Sequence, residues 1–512
     1  LFLNIILKKS WAIMVINILT IFFIIIYSVC SLSIFFFSLI HLELYFNYKK
    51  SKTKAKNKIL TNFKNLPFVT VQLPIYNEQN VIKRLLDAIV KMDYPSDKIE
   101  IQVLDDSDDN STAYVKNLIS KLKNKSSRKI NHIIRKNRDG FKAGALKYGL
   151  EIAKGNYIAI FDADFIPKTD WLKKTICGFN EPKIGVVQTK WNHINKNFSL
   201  LTKIQAFALD IHFTLEQVGR NFNSYFLNFN GTAGIWRKEA ILNSGNWKSD
   251  TLTEDLDLSY RAQLKGWKIK YVESINAPAE IPFLISAIKS QQFRWNKGGA
   301  ENFKKHFLNI LKNNNLKFST KVHCAFHLFS SSIFLSVFLL SFLSVPLSYV
   351  SNITSSFNWF FNFSSLFVLS TIIFFYIYWK LFKLVNQKKN NSFFEYTKIF
   401  ISFYCLSGAF AFQNSVAVLQ GFIGKKSEFI RTPKFNLTSR KTNLKEKKYV
   451  NESRSYYFII EGFLALYFLI SIITTILFAN RNFGFLPFHL FLFFGYAYIF
   501  LCSLRKINSG VK

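Results

Sequence analysis

The chain's 512 residues are 49% hydrophobic and 17% aromatic, with a mean hydropathy of +0.12. That length allows about two to four domains, and the apolar excess excludes an ordinary soluble enzyme and calls for membrane spans. Lys and Arg number 67 against 31 Asp and Glu, a formal charge of +36, but the cations gather beside apolar blocks. This excludes a nucleic-acid partner and favours a lipid bilayer.

From Trp11 to about Leu42 the chain is almost uncharged, with Ile21-Phe22-Phe23-Ile24-Ile25-Ile26 at its centre. The run exceeds the roughly 20 residues that a helix needs to cross a bilayer. It is also too long for a signal-peptide core, so residues 1–48 are expected to be a retained anchor. Lys49, Lys50, Lys52, Lys54, Lys56, Lys58 and Lys64 follow, and the positive-inside rule makes residues 49–65 a cytoplasmic linker.

Residues 66–300 have the composition of an α/β domain. Short β-rich runs (Phe68 to Leu73, Ile99 to Leu104, Ile130 to Ile134, Tyr157 to Phe161) alternate with segments of helical length. That alternation predicts a mostly parallel sheet covered by helices, with ligands at the carboxyl ends of the strands. Those ends carry Pro74-Ile75-Tyr76-Asn77-Glu78, Asp105-Asp106 and Asp162-Ala163-Asp164.

In residues 301–512 the apolar blocks return. The block 393–424 contains Glu395, Lys398, Gln413, Asn414 and Gln420. It is expected to lie in the membrane interface or to re-enter, which leaves five spans in the whole chain. A cytoplasmic loop over 425–450 follows it, and the chain ends in a cytoplasmic tail with Arg505 and Lys506. Cys30, Cys177, Cys324, Cys405 and Cys502 are scattered without CxxC spacing, a pattern of buried small hydrophobes.

Four constellations carry chemistry. Asp162 and Asp164, one residue apart at a strand end, suit a hard divalent cation that bridges phosphates. Arg138-Asp139-Gly140-Phe141-Lys142 is a basic, glycine-bearing loop entering a helix, suited to phosphate oxygens. Thr253-Glu254-Asp255 opens a helix, where a carboxylate serves either as a cap or as a base taking a proton from a hydroxyl. Gln291, Arg294 and Trp295 share one helical face, with an Arg fork for a diphosphate and a Trp plane for a sugar ring.

In this order and joined to membrane spans, Asp105-Asp106, Asp162-Ala163-Asp164, Thr253-Glu254-Asp255 and Gln291-x-x-Arg294-Trp295 resemble the signature of processive family 2 glycosyltransferases. The cellulose synthase and mannan synthase group is the most similar in style. Two further stretches are similar to that group. Asn228-Phe229-Asn230-Gly231-Thr232-Ala233-Gly234 resembles the loop that holds the acceptor's end, and Phe429-Ile430-Arg431-Thr432-Pro433-Lys434 resembles the gating loop, with Arg431 where bacterial cellulose synthase has Val.

The resemblance implies an α/β GT-A catalytic domain, Rossmann-like and mostly parallel, combined with an α-helical transmembrane region. It implies an inverting transfer of a hexose from a nucleotide sugar, UDP-glucose or GDP-mannose, to a growing β-linked polysaccharide, coupled to export. In that reading Asp105, Asp106, Lys142, Asp162, Asp164 and Arg294 bind the donor, and Asp164 with Asp162 holds Mg2+ or Mn2+. Asp255 is the general base, beside Glu254. Gln291, Trp295, Gly231 and Thr232 hold the acceptor, and Phe429, Thr432 and Lys434 form the gate. The implied protein is a multi-pass integral membrane protein with its catalytic domain in the cytoplasm. Its partners would be a glycan or lipid acceptor and polysaccharide export subunits. The competing readings are a lipid glycosyltransferase resembling glucosylceramide synthase, and an inactive export or scaffold subunit.

Overall fold

The computed structural model describes residues 2–54, 65–353, 356–363, 366–386, 393–437, 457–478 and 483–509. Parts of the expected basic linker and of the loop after Leu437 (55–64 and 438–450) lie outside them. The chain forms two compact units: Leu1–Leu42 with Ser330–Leu419 and Glu452–Lys512, and Glu43–Phe329 with Gln420–Asn451.

The second unit is built on a seven-stranded sheet. Its strands are β1 (Val69–Ile75), β2 (Ile99–Asp105), β3 (Lys129–Ile134), β4 (Tyr157–Ile160), β5 (Ile184–His193), β6 (Gly234–Arg237) and β7 (Lys268–Ala279), in the spatial order β3-β2-β1-β4-β6-β5-β7. Four of the six pairings are parallel; only β6 runs against its neighbours β4 and β5. Both faces of β1 and β2 are covered, although Thr70 and Gln72 in β1 and Glu100 and Gln102 in β2 alternate with their apolar residues.

The polar residues inside these strands fix the register. Thr70 lies opposite Glu100 and Gln72 opposite Gln102. Thr70 Oγ1 donates to Glu100 Oε1 at 2.6 Å, and Gln72 Nε2 donates to Gln102 Oε1 at 3.0 Å. A slip of one residue would strand these buried groups, at about 1–3 kcal/mol each.

The first unit is helical. Across the described residues, six helices are long and apolar enough to cross a membrane: Met14–Thr53, Phe318–Ser351, Val368–Asn386, Phe393–Ile423, Tyr457–Leu477 and Leu486–Leu504. The segment expected at the interface is the fourth of these, one unbroken helix with the lowest hydropathy of the six, 1.3. Its polar residues Gln413, Asn414 and Ser415 are buried, and Ser415 Oγ donates to the Phe334 carbonyl at 3.1 Å.

Candidate active site

After β3 the chain crosses back to place β4 on the other side of β1, so the strand order reverses beside β1. The crevice at the carboxyl ends of β1 and β4 is where an open α/β sheet takes a ligand. Asp162 and Asp164 follow β4 there. The Asp162 backbone N–H donates to Thr232 Oγ1 at 2.9 Å, which fixes the chain as it leaves the strand. Its carboxylate accepts from Lys142 Nζ at 2.6 Å, and the same ammonium donates to the Gly231 carbonyl at 3.0 Å. Lys142 stands in the first turn of helix α1 (Phe141–Ile152), which opens on Gly140 in the left-handed region at φ +71°. Burial works against the Lys142 ammonium, yet Asp162, Glu254 and Asp255 outweigh it and hold its pKa above the ordinary value.

Asp255 comes from helix α2 (Glu254–Leu264), and α2 is placed by helix α3 (Ile285–Lys312). Gly298 of α3 passes so close that a Cβ there would lie 2.4 Å from Thr253 Oγ1, and Asn302 Nδ2 donates to that hydroxyl at 3.0 Å. Gly231, at φ +77°, likewise has room for no side chain: a Cβ would sit 2.9 Å from Asp255 Oδ2. One carboxylate oxygen of Asp255 accepts from the Leu256 N–H at 2.8 Å. Burial, with Glu254 next in effect, pushes the Asp255 carboxyl up to about 7, while Lys142 pulls the other way. The same α3 carries Gln291, Arg294 and Trp295 to the rim of one cavity of about 200 Å³, which Lys142, Asp162, Asp164, Gly231, Glu254 and Asp255 also line.

The segment after Gly424 forms the remaining wall. Arg431 grips Glu78 through one guanidinium edge, Nε and Nη2 donating to the two carboxylate oxygens at 2.8 and 3.0 Å. Lys434 Nζ donates to Asp164 Oδ2 at 2.7 Å and to the Glu280 carbonyl at 3.0 Å. The buried Glu280 carboxylate takes the Phe435 N–H at 2.8 Å and Arg84 at 3.0 Å. Phe429 lies between Arg294, 4.4 Å above its ring, and the Phe141 ring at 5.9 Å. Arg138 continues that stack, 5.0 Å from the Phe141 ring and 3.4 Å from the Tyr76 ring. Burial raises Glu78 to about 7 against the pull of Arg431.

Residues 70–242 match the family described as "Glycosyl transferase family 2", and residues 157–382 match "Glycosyl transferase family group 2". Together these two matches run from residue 70 to residue 382, the part of the chain that is similar to glycosyltransferase family 2. Over 270 residues it is 44% identical to "Probable glucomannan 4-beta-mannosyltransferase 2" of Oryza sativa subsp. japonica, covering 51% of this chain and 46% of that protein. It is 41% identical to "Glucomannan 4-beta-mannosyltransferase 2" of Arabidopsis thaliana, covering 52% of this chain and 50% of that one. The match thus spans about half the length of these relatives. The fold is similar to that of a mannosyltransferase from Pyrobaculum calidifontis, solved with GDP-Man and Mn2+, at a TM-score of 0.51 and 17% identity, covering 78% of this chain and 100% of that one. This likeness shows the GT-A fold. With six candidate spans among the described residues, the chain is an integral membrane protein.

Within the unit built on the sheet, two expected donor and acceptor residues stand behind the cavity wall. Asp105 is fully buried, its carboxylate taken by His132 Nε2 at 2.8 Å and the Ser107 N–H at 2.9 Å. The carboxylate that reaches the cavity from this strand end is Asp106, braced by Arg135 Nε at 2.8 Å. Thr232 is fully buried and holds the Asp162 backbone. Gly231, Phe429, Thr432 and Lys434 line the cavity.

Glu78, Glu280 and Tyr76 also line it without having been assigned a role from sequence, and Arg138 of the basic loop lines it beside them. Glu78 ends the strand-end run Pro74 to Glu78 and was open to view. Glu280 stands alone after β7, with no motif around it.

Among the described residues no three His, Cys, Asp or Glu side chains form a metal cage. The residues nevertheless fit a divalent ion. Asp162 Oδ2 and Asp164 Oδ1 have no hydrogen-bond partner among the described residues, whereas their other oxygens are bound to Lys142 and Lys434. One or two carboxylate oxygens beside substrate phosphates are the usual protein share of a Mg2+ site.

Proposed function

We propose that this chain is an inverting hexosyltransferase of the mannan synthase type, moving mannose from GDP-mannose to the end of a β-linked glycan. The observation that carries the reading is the convergence of Asp162 and Asp164, Asp255, and the Gln291-Arg294-Trp295 face on one cavity. The mannosyl choice rests on the relatives named as glucomannan 4-β-mannosyltransferases.

Asp162 and Asp164 would hold a magnesium or manganese ion, which offsets charge on a leaving diphosphate. Lys142 and Arg294 add fixed positive charge, so the diphosphate leaves without a proton and no general acid is needed. Burial keeps Arg294 below its ordinary pKa against the pull of Glu254, Asp162 and Asp255. Asp255, with its raised pKa, accepts the proton of the acceptor hydroxyl as that oxygen attacks the anomeric carbon from the face opposite the diphosphate. Trp295, 39% exposed, offers a plane for the acceptor ring, and Gln291 a hydrogen-bonding amide. Arg431 and Lys434 close the donor side through Glu78 and Asp164.

Membrane topology follows by parity. Lys52, at the end of the first helix, pairs with Glu273 at 2.6 Å, and Arg431 and Lys434 pair with Glu78 and Asp164 of the same unit. Both segments therefore stand on the side of the catalytic domain, and an even number of the three intervening helices crosses. Phe393–Ile423, the least hydropathic of the three, is the one that stays on that side, which restores five spans. The basic linker makes that side the cytoplasm, and the glycan is exported through the span region.

The test is incubation of the purified full chain in lipid nanodiscs with radiolabelled GDP-mannose or UDP-glucose, Mg2+ or Mn2+, and a manno-oligosaccharide. Elongated, alkali-stable oligosaccharide made from GDP-mannose supports the reading. Label found only in a single-sugar lipid overturns it.

A further inference from the structure

The helix that begins at Leu200 is interrupted by one π turn, His212–Glu216, before it resumes as Gln217–Phe222. The Gln217 N–H bonds to the His212 carbonyl, the i to i+5 pattern. In a regular α-helix residues five apart point about 140° away from each other; the π turn stacks them instead. His212 and Gln217 consequently both reach the side chain of Asn230, the neighbour of Gly231 in the cavity wall.

The hydrogen atoms in this cluster can be assigned from one fixed point. Gln217 Nε2 lies 3.2 Å from the Asn228 carbonyl, which only accepts, so that end of the Gln217 amide is the donor. The same nitrogen lies 2.9 Å from Asn230 Oδ1, which must then be the oxygen. Asn230 Nδ2 faces His212 Nε2 at 3.0 Å, so that ring nitrogen accepts and Nδ1 carries the proton. Nδ1 donates to Glu216 Oε2 at 3.1 Å. The Asn230 backbone N–H is itself fixed on Gln188 Oε1 at 3.0 Å. Gln217 Nε2 also lies 3.1 Å from Asn228 Oδ1 and 3.4 Å from His212 Nε2, so its two hydrogens are shared among these acceptors, and the result for Asn230 is a carboxamide of defined orientation. It keeps one N–H and one oxygen lone pair beside the residue that touches Asp255.

Resting on the transferase reading above, we infer that Asn230 binds a hydroxyl of the acceptor sugar, and that His212, backed by Glu216 on the π turn, is the positioning residue that sets which end of the amide faces that hydroxyl. An amide free to flip would present donor and acceptor indiscriminately. A fixed one discriminates acceptors by the orientation of the hydroxyl next to the attacking oxygen, because a mismatched group leaves a polar atom unpaired.

The experiment measures the KM for a manno-oligosaccharide acceptor and the Kd for GDP-mannose on the full chain in nanodiscs, for wild type and for Asn230→Ala, His212→Leu and His212→Gln. Asn230→Ala is expected to raise the acceptor KM about tenfold with the donor Kd unmoved. His212→Leu is expected to raise the acceptor KM severalfold, and His212→Gln, which restores an accepting oxygen, to recover most of that loss. An acceptor KM that stays at the wild-type value in Asn230→Ala, a donor Kd that worsens in step with it, or a His212→Gln variant no better than His212→Leu overturns the inference while leaving the transferase reading standing. A wild-type chain that transfers sugar from neither GDP-mannose nor UDP-glucose overturns both.

Discussion

The position of Asp255 predicts a pH profile that the sequence motif alone does not. A solvent-exposed aspartate titrates near 4, and a base of that kind would be fully ionised across the working range. Burial beside Glu254 pushes Asp255 up to about 7. Because the base acts as the carboxylate, transfer is lost as pH falls through that value. The competent fraction is about nine-tenths at pH 8, about half at pH 7 and about a tenth at pH 6. Initial rates at subsaturating substrate, which report kcat/KM and hence the free enzyme, should trace that limb. Asp255→Asn should flatten the limb and lower the rate about 10²–10⁴-fold, the usual yield of general-base catalysis. Lys142 opposes the upward shift, so Lys142→Gln should move the limb to higher pH. A wild-type rate that is flat from about pH 6 to pH 8, or an Asp255→Asn variant keeping more than about a tenth of the rate, refutes the assignment.

Other perturbations separate the remaining roles. Asp164→Asn should weaken Mn2+-dependent nucleotide-sugar binding about tenfold or more in calorimetry, and unchanged binding would remove Asp164 from the metal site. Arg431→Ala strands Glu78 and releases one anchor of the loop. Hydrogen exchange over residues 428–437 should then quicken, and an unaltered exchange pattern would show that the loop is held elsewhere. Trp295→Ala should raise the acceptor KM roughly tenfold through lost stacking and leave the donor Kd alone; an equal loss of donor affinity argues against an acceptor plane. A tag placed in the 425–450 loop should be reachable from the same face as one in the 49–65 linker, and opposite labelling would break the parity argument.

The sheet was legible where β1, β2 and β4 are buried on both faces and where the edge strand β3 keeps a short β-rich run. The runs beginning at Phe68, Ile99, Ile130 and Tyr157 appear as β1 to β4 within a residue or two. β6 was hidden because it is four residues long and directly follows the motif loop 228–234. β7 was hidden because Lys268, Lys270, Glu273 and Asn276 interrupt its apolar pattern along a strand that is only partly buried. The acidic motifs were visible as short runs with a chemical reason to sit at strand ends and helix starts. Their division of labour was less visible. Asp105 and Asp106 are adjacent in sequence, yet the alternation of a strand sends one into the sheet against His132 and the next towards the cavity. The contacts that pair Lys434 with Asp164 and Arg431 with Glu78 join residues about 270 and 350 positions apart, and no local pattern announces them. The π turn at His212 has no local signature, because it is defined by what its side chains meet across the fold.

The most direct test of the account is the linkage and anomeric configuration of the product made from GDP-mannose by the purified full chain on a manno-oligosaccharide acceptor. The account predicts 4-linked β-mannosyl residues added at the non-reducing end, with the configuration of the donor inverted and the reaction abolished in Asp255→Asn. Added residues that retain the donor's α-configuration, or addition that survives in Asp255→Asn, would contradict it.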